Sequence, residues 1–146
     1  MRKGYSLLEQ LVVLAVMAIL FTLVGPRTAA ALDRAAVRDA RMQLVGVLGS
    51  ARGSALARAE RVSVAMDGGA GIVRVLAGAD TLLVRPLRTD LGVAVASSRD
   101  TVTYGASGRG YGAANSTFVL SRGAAAETVC VAPTAPTRGS RPRVSR

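Results

Sequence analysis

Residues 11–25 are apolar apart from Thr22, and an acid, Glu9, stands just before them. No other feature constrains the fold as much. Residues 7–25 match the roughly 20 residues that a membrane-spanning helix needs. An ionised carboxylate at the centre of such a helix costs about 2.5–3.5 kcal/mol on insertion scales, so a chain that keeps Glu9 there must neutralise it once assembled. Arg2 and Lys3 form a basic anchor ahead of it, and Gly4 is a small residue at a junction. If the chain is cut after Gly4, the α-amino group of Tyr5 becomes a cation with a pKa near about 7.7–8.0, at the depth needed to meet Glu9 of a neighbouring copy.

The run Lys3-Gly4-Tyr5-Ser6-Leu7-Leu8-Glu9 resembles the class III leader and N-terminus of type IV pilins and of the pseudopilins of type II secretion. The resemblance implies that a membrane-embedded prepilin peptidase cuts after Gly4 and N-methylates Tyr5, and that Glu9 is the assembly glutamate. It also implies a single-pass inner-membrane protein with its domain in the periplasm, whose partners are other pilins or pseudopilins of a periplasmic or surface filament. Tyr5 stands where the family usually has Phe, and Gln10 replaces a common apolar residue. Two other readings compete. Arg2 and Lys3 with Ala29-Ala30-Ala31 fit a secretory signal peptide, although Glu9 and Gln10 interrupt its apolar region and Pro26-Arg27 would lie in the cleavage region. A plain single-pass anchor fits the length but leaves Glu9 unexplained.

Beyond the anchor roughly 120 residues remain, enough for one domain. Hydrophobic residues make up 50% of the chain but aromatics only 3%, so the core must be built from Val, Leu, Ile and Ala. The single Cys130 cannot form an intrachain disulfide; between Val129 and Val131 it reads as a small buried hydrophobe, the alternative being intermolecular pairing outside the reducing cytosol. The net charge of +10 is almost wholly arginine, and loss of Arg2 and Lys3 with the leader would take the side-chain charge to +8. Arginine forks suit anionic partners such as DNA, lipid headgroups or acidic protein faces, while the abundant Ala, Gly and Val make a GC-rich genome an equally ordinary source of arginine.

Pro26 can kink the helix without ending it, and an apolar stripe then runs through Leu32, Ala36, Ala40, Leu44, Leu48, Ala51, Ala55 and Ala59, interleaved with Arg34, Arg38, Arg41, Arg52 and Arg58. Gly46, Gly49 and Gly53 in this helix imply either close approach of a packed sheet, the favoured reading, or local weakening of the helix. After Glu60 the period becomes that of strands. Residues 61–66 and 72–76 read as a hairpin around a glycine-rich turn, 81–85 as a strand stopped by Pro86, and 92–96, 101–104, 117–120 and 128–131 as further strands. A helix followed by strands predicts an α+β fold, the long N-terminal helix packing on an antiparallel sheet.

The junction Leu48-Gly49-Ser50-Ala51-Arg52-Gly53-Ser54-Ala55-Leu56 through Val64 is similar to the helix-to-first-strand region of the GspH/FimT group of minor pilins and pseudopilins. Thr101-Val102-Thr103-Tyr104-Gly105 through Gly110 resembles that group's late strand, whereas residues 77–98 show little of the pattern. Residues 133–146 carry three prolines, Arg138, Arg141, Arg143, Arg146 and no acid, and are expected to be a flexible tail. In relatives of the FimT type a basic C-terminal motif contacts DNA, which makes these four arginines candidate DNA contacts, with Ser140 standing where a glycine is expected. A solvated tail or an acidic protein partner is the other reading.

With no His and one Cys, histidine base chemistry and thiolate zinc sites are excluded, and the glycine-rich run 105–112 lacks the Lys-Ser/Thr ending of a phosphate loop. No enzyme, cofactor or metal is expected. The domain plan is a leader at 1–4, a transmembrane and assembly helix at 5–25, a pilin-like domain at 26–132 and a basic tail at 133–146. The expected function is a minor pilin or pseudopilin, GspH-like in type II secretion, with a DNA-uptake pilin of the FimT type as the rival.

Overall fold

In the computed structural model, which describes residues 6–111, 115–132 and 138–140, the apolar run and the arginine-laced segment after it form one helix, α1 (Leu7–Arg58). It continues through position 26, as expected. The chain divides into two units, Met1–Leu32 and Asp33–Arg146. In the first, α1 is long and apolar enough to cross a membrane, and its large side chains from Leu7 to Phe21 are exposed all round. A helix that is hydrophobic on every face has no core of its own to pack on, and lipid or other subunits must cover it.

In the second unit α1 buries one stripe: Val37, Ala40, Leu44, Val47, Leu48, Ala51 and Ala55. These follow the steps of three and four that the 3.6-residue period requires. The expected stripe is right at its centre and wrong at its ends. Leu32 is 61% exposed, and Ala59 lies beyond the helix at a φ of 52°. Gly46, Gly49 and Gly53 are a second correction: all three are exposed, and a β-carbon added at any of them meets nothing within 4 Å. They lie on the outer face, so no sheet approaches them.

The strands form two four-stranded antiparallel sheets rather than one. The first contains β1 (Val62–Asp67), β2 (Ile72–Ala77), β3 (Asp80–Pro86) and β5 (Thr101–Tyr104), in the order β3-β2-β1-β5. The second, in the order β4-β6-β7-β8, contains β4 (Ala94–Ser97), β6 (Ser116–Arg122), β7 (Ala125–Val131) and β8 (Arg138–Ser140). The chain leaves the first sheet where Pro86, which has no N–H to donate, ends β3. A short helix that the sequence reading missed, α2 (Leu87–Leu91), closes on Gly92, whose φ of 65° allows the turn into β4. β5 then returns to pair with β1, Val64 facing Val102.

Alternation along the strands sends one set of side chains inward. Val62, Val64, Val73, Val75 and Val102 from the first sheet join Val95, Phe118, Leu120, Val129 and Val131 from the second, together with the α1 stripe, in a single hydrophobic cluster. The same alternation overturns the expectation for Cys130. Because Val129 and Val131 are buried, the residue between them points the other way, and Cys130 is exposed. The segment read as a flexible tail also contains order: Arg138, Gly139 and Ser140 pair with Cys130, Val129 and Thr128 as β8.

Candidate functional site

The first turn of α1 is built by Ser6. Its carbonyl accepts from the N–H groups of Glu9 at 3.1 Å and Gln10 at 3.3 Å, and its Oγ accepts from Glu9 N–H at 3.3 Å. The Gln10 bond is the first regular one of the helix, and the otherwise orphaned Glu9 N–H is satisfied by the carbonyl and hydroxyl of Ser6. Ser6-x-x-Glu9 has the spacing of a capping box, a signal legible in the sequence that the initial reading did not use. An acid in the first turn is also favoured by the positive end of the helix dipole.

Glu9 and Gln10, with Val13 and Leu14, line a shallow groove on the helix surface. Both polar side chains are exposed and make no hydrogen bond or ion pair among the described residues. Thr22, further along the apolar run, behaves differently: its hydroxyl donates to the Ile19 carbonyl at 2.7 Å and is satisfied inside the helix. The polar groups that need an external partner are therefore concentrated in one turn.

Gly4 and Tyr5 lie outside the described residues, as do Arg141, Arg143 and Arg146. Arg138 begins β8 on the edge of the second sheet, opposite Cys130.

What the sequence reading missed is how the domain is fastened around α1. Arg122, at the end of β6, sets its Nε 3.0 Å from Oδ1 of Asp33 on α1 and donates from Nη1 to the Leu91 carbonyl at the end of α2, at 2.6 Å. Two turns further along α1, Arg41 Nε lies 3.6 Å from Glu127 Oε2 of β7, a charge attraction too long for a hydrogen bond. At the far end of the helix, the Arg61 guanidinium stacks 3.9 Å from the Tyr111 ring centroid and donates to its hydroxyl at 2.8 Å. That clasp holds the loop after β5, where Tyr111 N–H also donates to the Thr103 carbonyl at 2.8 Å. Tyr104 beside it is mostly buried, and burial pushes its hydroxyl above the ordinary value of 10.0, an effect that the Arg52 charge opposes. Each contact depends on a partner distant in sequence, which is why residue spacing did not reveal it.

Comparison with solved structures supports this architecture. The crystal structures of the type IV minor pilin FimU from Pseudomonas aeruginosa strain PAO1, in two space groups, share the fold with TM-scores of 0.63 and 0.59. Identity is 14% in both, over 75% and 73% of this chain and 95% and 97% of the FimU chains. Comparison with curated protein sequences gives no significant match. The family described as type II transport protein GspH matches residues 40–135, well over half of the chain. A match of that extent, on a long helix joined to antiparallel sheets, shows that the chain belongs to the GspH family and is a minor pilin or pseudopilin.

Proposed function

We propose that the chain is a GspH-like minor pseudopilin of a type II secretion filament, anchored in the inner membrane by the first part of α1 with its domain in the periplasm. Prepilin peptidase removes residues 1–4 and methylates Tyr5, and the subunit enters the filament when Glu9 meets the Tyr5 amine of a neighbouring pilin or pseudopilin. The observation that carries this reading is the first turn of α1: a serine-capped helix start holding a carboxylate that has no partner among the described residues, followed directly by an apolar run with no core to cover it. Lipid covers most of that run before assembly, and other subunits cover it afterwards. Glu9 and Tyr5 lie four residues apart, so their pairing requires neighbouring helices offset by about 6 Å along their axes. Mass spectrometry of the mature protein tests the reading, which expects a chain beginning at Tyr5 with one added methyl group. A chain beginning at Leu32, or one that keeps residues 1–4, would contradict it.

A second reading, a FimT-like pilin that binds DNA for uptake, is supported by the pairing of β8 with β7, which gives the basic tail a fixed root at Arg138. If Arg138, Arg141, Arg143 and Arg146 all meet phosphates, the log–log salt dependence of binding has a slope of about −3.6. Gel shift with the fragment from Thr28 onward, with and without residues 133–146, tests it. Binding that truncation leaves unchanged, or no binding at all, defeats the tail as a DNA contact.

A further inference from the structure

Gln10 is not used by the assembly scheme, yet its carboxamide carries two N–H donors and a carbonyl acceptor with no partner among the described residues. It also begins a pattern. Gln10, Val13, Met17 and Leu20 recur at steps of three, four and three, with Gln10 and Met17 seven apart, the spacing of a coiled-coil seam. Val13, Met17 and Leu20 are 54%, 51% and 51% exposed, and Gln10 and Val13 line the surface groove together.

We propose that before assembly two copies of this chain pair in the membrane along this seam, each Gln10 carboxamide bonding the other. Resting on the membrane-anchored reading above, the argument for a second copy as occupant is chemical. A carboxamide is donor and acceptor at once, so two of them facing each other satisfy one another. Single-pass helices inserted in the same direction are parallel, and a two-fold axis along them places identical residues at the same depth. One polar residue in an otherwise apolar seam is also the device that fixes register and favours two strands. The pair belongs to the membrane stage alone. A helical filament displaces successive copies along its axis, and the roughly 6 Å offset that Glu9 needs to reach Tyr5 separates the two Gln10 residues. Assembly must therefore break the pair, which makes it a reservoir from which subunits are drawn.

Disulfide trapping of the full chain in native membranes tests this. With Cys130→Ser removing the native thiol, Met17→Cys is expected to give an oxidised dimer of twice the chain mass, and Ile19→Cys, on the opposite side of the helix, far less. Adding Gln10→Leu should reduce the dimer yield roughly three- to thirtyfold, the range expected for one interhelical hydrogen bond in lipid, while Gln10→Asn retains it. Membrane insertion should survive Gln10→Leu, because leucine is the more lipid-soluble side chain. The proposal is overturned if Gln10→Leu leaves the yield unchanged, if Ile19→Cys links as well as Met17→Cys, or if the linked product contains a different protein. Recovery of the chain in the soluble fraction would overturn the anchored reading and the pair with it. A failure of Glu9–Tyr5 pairing alone would leave the dimer in place and abolish filament incorporation.

Discussion

Two glycine environments predict opposite outcomes for the same substitution. Gly108 has a φ of 69°, and a β-carbon there would lie 2.8 Å from Cγ of Leu56, so Gly108→Ala should destabilise the domain by about 1–3 kcal/mol in urea unfolding. Gly53 sits on the open face of α1, where alanine meets nothing, and Gly53→Ala should stabilise by about 0.5–1 kcal/mol in the same measurement. Tyr104 gives a pH test. Burial raises its hydroxyl above 10.0, with Arg52 opposing, so the folded state holds this proton more tightly than the unfolded chain does. The stability that results is fully present below the unfolded value and is lost as pH rises through the folded one. Unfolding midpoints followed from about pH 9 to about pH 12 should fall at the alkaline end, and Tyr104→Phe should flatten that fall. Cys130 shows where residue type misled: its small size suggested burial, but the period of two between Val129 and Val131 already assigned it to the outer face.

Among the elements, those with strong local periodicity were legible. The buried part of α1 followed from the spacing of Ala40, Leu44, Leu48, Ala51 and Ala55, and the hairpin of β1 and β2 from alternation on either side of residues 67–71. Leu44→Ala should therefore cost about 2–5 kcal/mol, whereas Leu32→Ala, at a position 61% exposed, should change the stability of the domain by less than about 0.5 kcal/mol; thermal or urea unfolding checks both. The division of strands between two sheets was not legible, because pairing is long-range. β5 joins β1 across nearly 40 residues, and only the Pro86 and Gly92 breaks around α2 hint that the chain changes sheets. The three residues of β8 are shorter than the window in which alternation can be recognised, and their pairing is set by the exposed edge of β7.

For the molecule as a whole, the sequence separated the two halves of the problem well. The apolar run, the acid before it and the basic junction ahead of both pointed to a pilin-like chain, and the GspH match over residues 40–135 reached the same family from the other end of the chain. On the proposed function, one carboxylate decides the outcome. Glu9 stands in the first turn of α1, and we propose that in the filament it makes extraction from lipid specific by meeting the Tyr5 amine of a neighbour. The direct measurement is incorporation of a Glu9→Val subunit into filaments, with recovery in the membrane fraction as the control. Normal membrane insertion with at least a tenfold loss of incorporation, about 1.4 kcal/mol or more at the subunit boundary, is the predicted result. A Glu9→Val subunit that inserts and incorporates as well as the parent would contradict the account.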